Sequence, residues 1–163
     1  MAAQDPARAV TLREVTADTV RAICKLEVAP AQQGLVAPNA VSIAQAYFEP
    51  AAWFRGIYAG DEPVGFAMLY DPTRTPAPED RATCHLWRFM IEARHQRRGY
   101  GAAALAQLIA HARTLDGVRS FALSYVPAAD SPRDFYARFG FAESGEMDED
   151  EIVMRLALVD DAR

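Results

Sequence analysis

The run MIEARHQRRGYGAAALAQLI, residues 90–109, decides how this chain is read, because it leads an apolar strand end through arginines and two glycines into a helix. Glycine at 99 and 101 permits a tight bend and lets backbone N–H groups approach a ligand with no side chain in the way. The first four N–H groups of a helix have no partner inside it, so they point outward and attract anions. The amides of Arg98, Gly99, Tyr100, Gly101 and Ala102 therefore suit a pyrophosphate, and Arg97 and Arg98 add positive charge beside it. Such a junction can also exist only to make the turn. A dinucleotide fingerprint is disfavoured: it needs G-x-G-x-x-G, Ala104 holds the third place, and the glycines come after three or four strands rather than in an opening βαβ unit.

Working outward, AVTLREV (9–15) alternates like a half-buried strand, and TADTVRAICKLEV (16–28) spaces Val20, Ile23, Cys24 and Leu26 like a helix capped by Asp18 or Thr16. APAQQGLVAPN (29–39) reads as a loop, and SIAQAYF (42–48) as a short helix stopped by Pro50. WFRGIYA (53–59) and VGFAMLY (64–70), joined by GDEP, form a hairpin. DPTRTPAPEDRAT (71–83) predicts a long exposed loop, and CHLWRFMI (84–91) a central strand with His85 and Trp87 on one face and Arg88 on the other. After the helix ending at Asp116-Gly117 come the strand SFALSYV (120–126), the helix SPRDFYARF (131–139) and the strand EIVMRLAL (151–158). The acidic EMDEDE (146–151) reads as a solvated turn or as a surface that attracts a polycation. This order predicts an α/β fold, a mixed sheet with helices on its faces, in a single domain spanning 1–163 with tails at 1–7 and 159–163.

Composition narrows the partners. A hydrophobic content of 51% with 24% charged residues is globular. A net charge of −5 argues against nucleic-acid binding. The sequence has no signal-peptide pattern and no apolar run of ~18 residues, so a cytoplasmic protein with no membrane span is expected. Cys24 and Cys84 read as buried thiols, and no pattern supports metal hydrolysis or Ser-His-Asp chemistry.

The segment QRRGYGAAAL resembles the acyl-CoA-binding signature of the GNAT superfamily of N-acetyltransferases, Q/R-x-x-G-x-G/A, with Gln96, Gly99 and Gly101 at the pattern positions. The resemblance extends over nearly the whole chain. It implies a mostly antiparallel central sheet with one parallel, splayed strand pair and helices on both faces. Coenzyme A would lie in the resulting V, with pantetheine along the backbone of Phe89, Met90 and Ile91 and pyrophosphate on the turn from Gln96 to Ala102. QQGLVAPNAVSIAQAYF, WRFMIEARHQRRGYG and SGEMDEDEIVMRL further resemble bacterial spermine/spermidine (diamine) N-acetyltransferases, which carry phenylalanine where Leu35 stands and glycine where Asp150 stands. The implied cosubstrate is acetyl-CoA with no metal, the implied acceptor is a small-molecule amine with polyamines leading, and a homodimer is compatible.

The chemistry sets what the site must contain. An alkyl amine with a pKa of about 10.4 must lose a proton before it attacks a thioester, at a cost of about 4.6 kcal/mol at pH 7. The departing thiolate then needs an acid, and a phenol stays protonated at neutral pH. Tyr136 lies where family members show N-x-x-A-x-x-F/L-Y-x-x-x-G-F. Phe135, Tyr136, Gly140 and Phe141 agree, whereas Ala129 and Pro132 replace the asparagine and alanine. The resemblance gives Tyr136 the acid role; a tyrosine packed among Phe135 and Phe139 is the alternative. Glu92, after the fourth strand, is the candidate base, against a solvated strand-end charge. His85, Gln33, Asn39 and Glu49 are candidates for the acceptor side, and His95 reads as surface. Peptide or protein N-acetylation, or a non-catalytic acyl-CoA sensor, remain the alternative functions.

Overall fold

Apolar residues alternate along the central strands so that both faces of one sheet are covered. The computed structural model describes residues 9–159; the expected tail at 1–7, and all but Val159 of that at 159–163, lie outside them. The elements are β1 (Val10–Arg13), α1 (Val20–Cys24), α2 (Asn39–Phe48), β2 (Ala52–Ala59), β3 (Glu62–Tyr70), β4 (Thr83–Ile91), α3 (Tyr100–Thr114), β5 (Ser120–Tyr125), α4 (Arg133–Ala137), β6 (Ala142–Asp148) and β7 (Glu151–Ala157). The strands form one seven-stranded sheet in the order β1-β2-β3-β4-β5-β7-β6, antiparallel throughout except for β4 and β5.

Ile57, Ala67, Leu69, Phe121, Leu123 and Met154 point to the face packed by Leu105, Leu108, Ile109 and Ala112 of α3. Tyr58, Phe66 and Met68 point to the other face, against Ile23 of α1 and Ile43 and Ala46 of α2. These two sets are what the period of two demands of strands buried on both sides.

Two irregularities make the site. The parallel pairing of β4 with β5 runs only through Thr83↔Ser120, Cys84↔Phe121 and His85↔Ala122. Beyond these pairs the strands part. Against β3, the register passes from Met68↔Arg88 to Leu69↔Leu86, which leaves Trp87 as the extra residue of a β-bulge. The bulge inverts the phase of the strand: Cys84 and Leu86 belong to the α3 face before it, and Phe89 and Ile91 after it.

Several sequence expectations need correction. Arg88 is not opposite Trp87; its guanidinium donates to the Trp87 carbonyl and to Gln45 of α2, because the bulge keeps both side chains on one side. Residues 142–148 are an edge strand unseen in the sequence because every one of its residues is exposed, and of the turn expected at 146–151 only Glu149 and Asp150 are turn. Helix α2 begins at Asn39, with Pro38 ahead of it, rather than at Ser42. Helices α1 and α4 are only five residues each. The 71–83 segment starts buried: Asp71 accepts from Thr73 N (2.9 Å) and Pro72 is enclosed. Among the described residues no helix is long and apolar enough to cross a membrane.

Candidate active site

Where β4 and β5 diverge, a cleft of about 1610 Å³ opens between the two faces of the sheet. That exceeds the roughly 300–1,000 Å³ that serves a drug-sized ligand, and it suits a long cofactor together with an acceptor. Its walls are β4 from His85 to Ile91, β5 from Leu123 onward, the 32–38 loop, the turn before α3, α4 and the β6–β7 edge.

The turn is built by two left-handed residues, Arg97 (φ 62°) and Gly99 (φ 84°). Gly99 is the residue before α3, and Ala103 N donates to Gly99 O (3.1 Å), so the helical ladder begins there and the amides ahead of Ala103 belong to the first turn of a fifteen-residue helix. Gln96 pins the approach: its Nε2 donates to Ile91 O (2.9 Å) and to Gln32 Oε1 (2.8 Å), fastening the turn to the end of β4 and to the facing loop. Gln96, Arg97 and Gly101 border the cleft, while Arg98 and Ala102 are exposed outside it. Tyr100 contributes only backbone, its ring being buried 6.2 Å from that of His95. His95 is therefore not a surface residue. It is 4% exposed, with Nε2 3.3 Å from Glu62 Oε1 and 3.4 Å from Glu92 Oε2.

The fit to a CoA-like ligand rests on two features. A methyl group at Gly101 would meet Ile91 at 3.6 Å and Phe135 at 3.8 Å, ordinary contacts, so the protein alone does not require glycine there. A ligand lying against the backbone at that point would. Second, β4 beyond His85 is paired with β3 on one edge and has lost β5 on the other. Glu92 N donates to Val64 O of β3, so by alternation Met90 also turns its backbone groups to β3, and Phe89 and Ile91 turn theirs to the free edge, toward a ligand that itself carries amides.

Tyr136 borders the same cleft from α4, 8% exposed, with its ring 5.3 Å from Phe135 and 5.9 Å from Phe141. Its hydroxyl has no hydrogen-bond partner among the described residues. Burial pushes its pKa well above that of a free phenol, so at neutral pH it holds its proton. Helix α4 is anchored by Arg133, whose Nε donates to Glu143 Oε1 (2.7 Å), the oxygen that also accepts from Tyr125 OH (2.8 Å). Burial pushes the Cys84 thiol up to about 12, which leaves it inert as a nucleophile.

Glu92 is placed differently from its expected role. It does not border the cleft, and its Oε2 accepts from Arg94 Nε (2.8 Å) beside His95. The chain turns away from the V at the end of β4, carrying the carboxylate with it.

Of the residues expected on the acceptor side, Gln33, Glu49 and His85 border the cleft. Asn39 does not border it: it is 2% exposed, and its Nδ2 donates to Ile23 O (2.9 Å), tying α2 to the end of α1. Burial lowers the His85 pKa; Arg155 lowers it further, and Asp80, Asp148 and Glu146 act in the opposite direction. The sequence reading missed how many carboxylates gather here. Glu49, Glu79, Asp80, Asp130, Glu146, Asp148 and Glu151 border the cleft against Arg88, Arg97 and Arg155. Glu146 accepts from Arg155 Nε (2.8 Å), Asp80 from Ala82 N (2.8 Å) and Thr83 Oγ1 (2.7 Å), and Glu151 from Ser124 Oγ. The alternation of EIVMRLAL, with Glu151, Val153 and Arg155 on one face, is the signal that would have found the last of these.

The family model described as "Acetyltransferase (GNAT) family" matches residues 37–141. The spermine/spermidine N(1)-acetyltransferase of Bacillus subtilis (strain 168) is 31% identical over 150 residues, covering 85% of this chain and 91% of that protein. A GNAT family acetyltransferase from Elizabethkingia anophelis, solved with acetyl-CoA bound, superposes with a TM-score of 0.63 at 16% identity over 94% of this chain and 99% of that one. PaiA N-acetyltransferase from Thermoplasma acidophilum, in complex with coenzyme A, superposes with a TM-score of 0.65 at 13% identity over 91% and 98%.

Proposed function

The chain belongs to the acetyltransferase (GNAT) family, and from that premise we propose that it moves an acetyl group from acetyl-CoA to a primary amine of a small polycation, a polyamine such as spermidine or spermine. The observation that carries this reading is the division of the cleft. One end has a helix N-terminus, left-handed backbone and Arg97, which suit phosphates; the other has an excess of carboxylates, which suits a multiply charged amine.

Acetyl-CoA supplies the activated acyl group. In this reading the turn from Gln96 to Ala102 holds pyrophosphate on the amides of Arg98 through Ala102, with Arg97 closing over it. The free edge of β4 at Phe89 and Ile91 pairs with the pantetheine amides and aims a backbone N–H at the thioester oxygen as charge develops there. Tyr136 gives its proton to the departing sulfur. His85, Glu49 and Gln33 line the approach of the acceptor. Both substrates occupy the V together, so attack is direct, and no covalent acyl-protein is needed.

The test is thiol release from acetyl-CoA with spermine, spermidine, a simple alkyl monoamine and short peptides. The expected result is a kcat/KM for the polyamines well above that for the monoamine. Preference for peptides would move the assignment to peptide or protein acetylation. CoA binding without transfer to any amine would make the domain a sensor.

A further inference from the structure

We propose that Glu151, held by Ser124, is the group that takes the proton from the incoming ammonium. The proposal rests on the acetyltransferase reading above and replaces the base expected from the sequence.

The two faces of the sheet fix where each group lies. Ile152, Met154 and Leu156 pack on the α3 side, so Glu151 projects to the acceptor side. Leu123 and Tyr125 likewise pack on the α3 side, so Ser124 shares the face of Glu151, and its Oγ donates to Glu151 Oε2. Ser124 lies two residues past Ala122, the last β5 residue paired with β4, which is where the V opens. Tyr136 enters the same opening from the α3 side. A proton acceptor and a proton donor thus reach the opening from opposite faces of the sheet. Acyl transfer needs this, because the nitrogen sheds protons on one side of the carbonyl carbon while the sulfur gains one on the other.

Glu146 is engaged by Arg155 and Asp80 by Thr83 and the backbone, whereas Glu92 is held by Arg94 outside the cleft. The charged groups facing Glu151 are Arg88 of β4, which feels its charge, and Asp148 directly opposite on β6.

The proton count closes. One ammonium proton passes to Glu151 and from there to solvent. The amine nitrogen then bonds to the acyl carbon, the C–S bond breaks and the sulfur takes the Tyr136 proton; the second nitrogen proton leaves through Glu151 to solvent, and the tyrosinate regains one proton from solvent, so one proton is released overall.

The experiment compares wild type, E151Q, E151D, S124A and E92Q as full chains acetylating spermidine from pH 6 to 10, with CoA affinity by calorimetry and Tm for each. E151Q is expected to lose about 10²–10³ in kcat/KM at pH 7 with CoA affinity and Tm retained. The deficit should narrow as pH approaches the amine pKa of about 10.4, where solution supplies the neutral amine. E151D should recover part of the rate, and S124A should show a smaller loss of the same pH shape. An undiminished E151Q, a deficit equal at every pH, or a pH-dependent loss in E92Q instead would overturn the assignment while leaving the acetyltransferase reading intact. A wild type inactive on every amine would sink both.

Discussion

Replacing Tyr136 with phenylalanine separates chemistry from folding more cleanly than any other change in the cleft. The hydroxyl has no hydrogen-bond partner among the described residues, while the ring is packed between Phe135 and Phe141 at 5.3 and 5.9 Å. Removing the oxygen therefore leaves the packing in place and strands no partner, so the stability change should stay within about 1 kcal/mol. For a chain of this size that is a shift in Tm of about 2–4 °C or less. Truncation to alanine would instead open a cavity worth about 3–5 kcal/mol, and its activity could not be interpreted. If the phenol protonates the departing sulfur, the loss in kcat should be 10²–10⁴-fold, about 2.7–5.5 kcal/mol of transition-state stabilisation. The assay is thiol release from acetyl-CoA under saturating amine, with Tm measured on the same preparations. An acetyl donor whose leaving thiol is more acidic should lose less, because its sulfur departs without help. Wild-type turnover at unchanged Tm, or an equal loss with both donors, would refute the acid role.

Other consequences of the structure are also measurable. Gly101→Ala should weaken CoA binding about tenfold by calorimetry with little change in Tm, since a Cβ there makes only ordinary contacts with Ile91 and Phe135. The pKa values of His85 and His111 are lowered by burial, so the unfolded chain binds protons that the folded chain refuses. Their contribution is present above the ordinary value of 6.5 and is lost as pH falls from there through the lowered folded values, so Tm should drop below pH 6.5, and H85N/H111Q should flatten that slope. Asp148→Asn should raise KM several-fold for spermine and much less for a monoamine, with the difference shrinking at high salt, as measured by steady-state kinetics.

The sheet core was legible because VGFAMLY, CHLWRFMI and SFALSYV are apolar on both faces, a pattern that central strands need and surface elements lack. Strand β6 was not, for the opposite reason: at the edge, nothing requires AESGEMD to bury a side chain, so no period survives in its sequence. The turn ahead of α3 was legible in its glycines. The positions of Arg88 and Glu92 were not, because they depend on one inserted residue and on where β4 ends, features of pairing rather than composition. Asn39 looked like a polar loop residue open to ligand; its amide instead completes the C-terminal turn of α1. The acceptor-side carboxylates were visible singly, yet their gathering is tertiary: β6, β7 and the 71–82 segment meet only once the sheet is assembled.

The bulge at Trp87 also makes strand β4 unequal in its tolerance of change. Point substitutions along it alter one face at a time, and each can be answered by a neighbour. Loss of a single codon between Leu86 and Phe89 would restore a regular strand and, in the same step, exchange the inward and outward residues of everything downstream to the turn. The free strand edge, the cleft wall and the core would be scrambled together. Length variation in relatives should therefore fall in the loops at 29–38 and 71–82, with β4 kept to the residue.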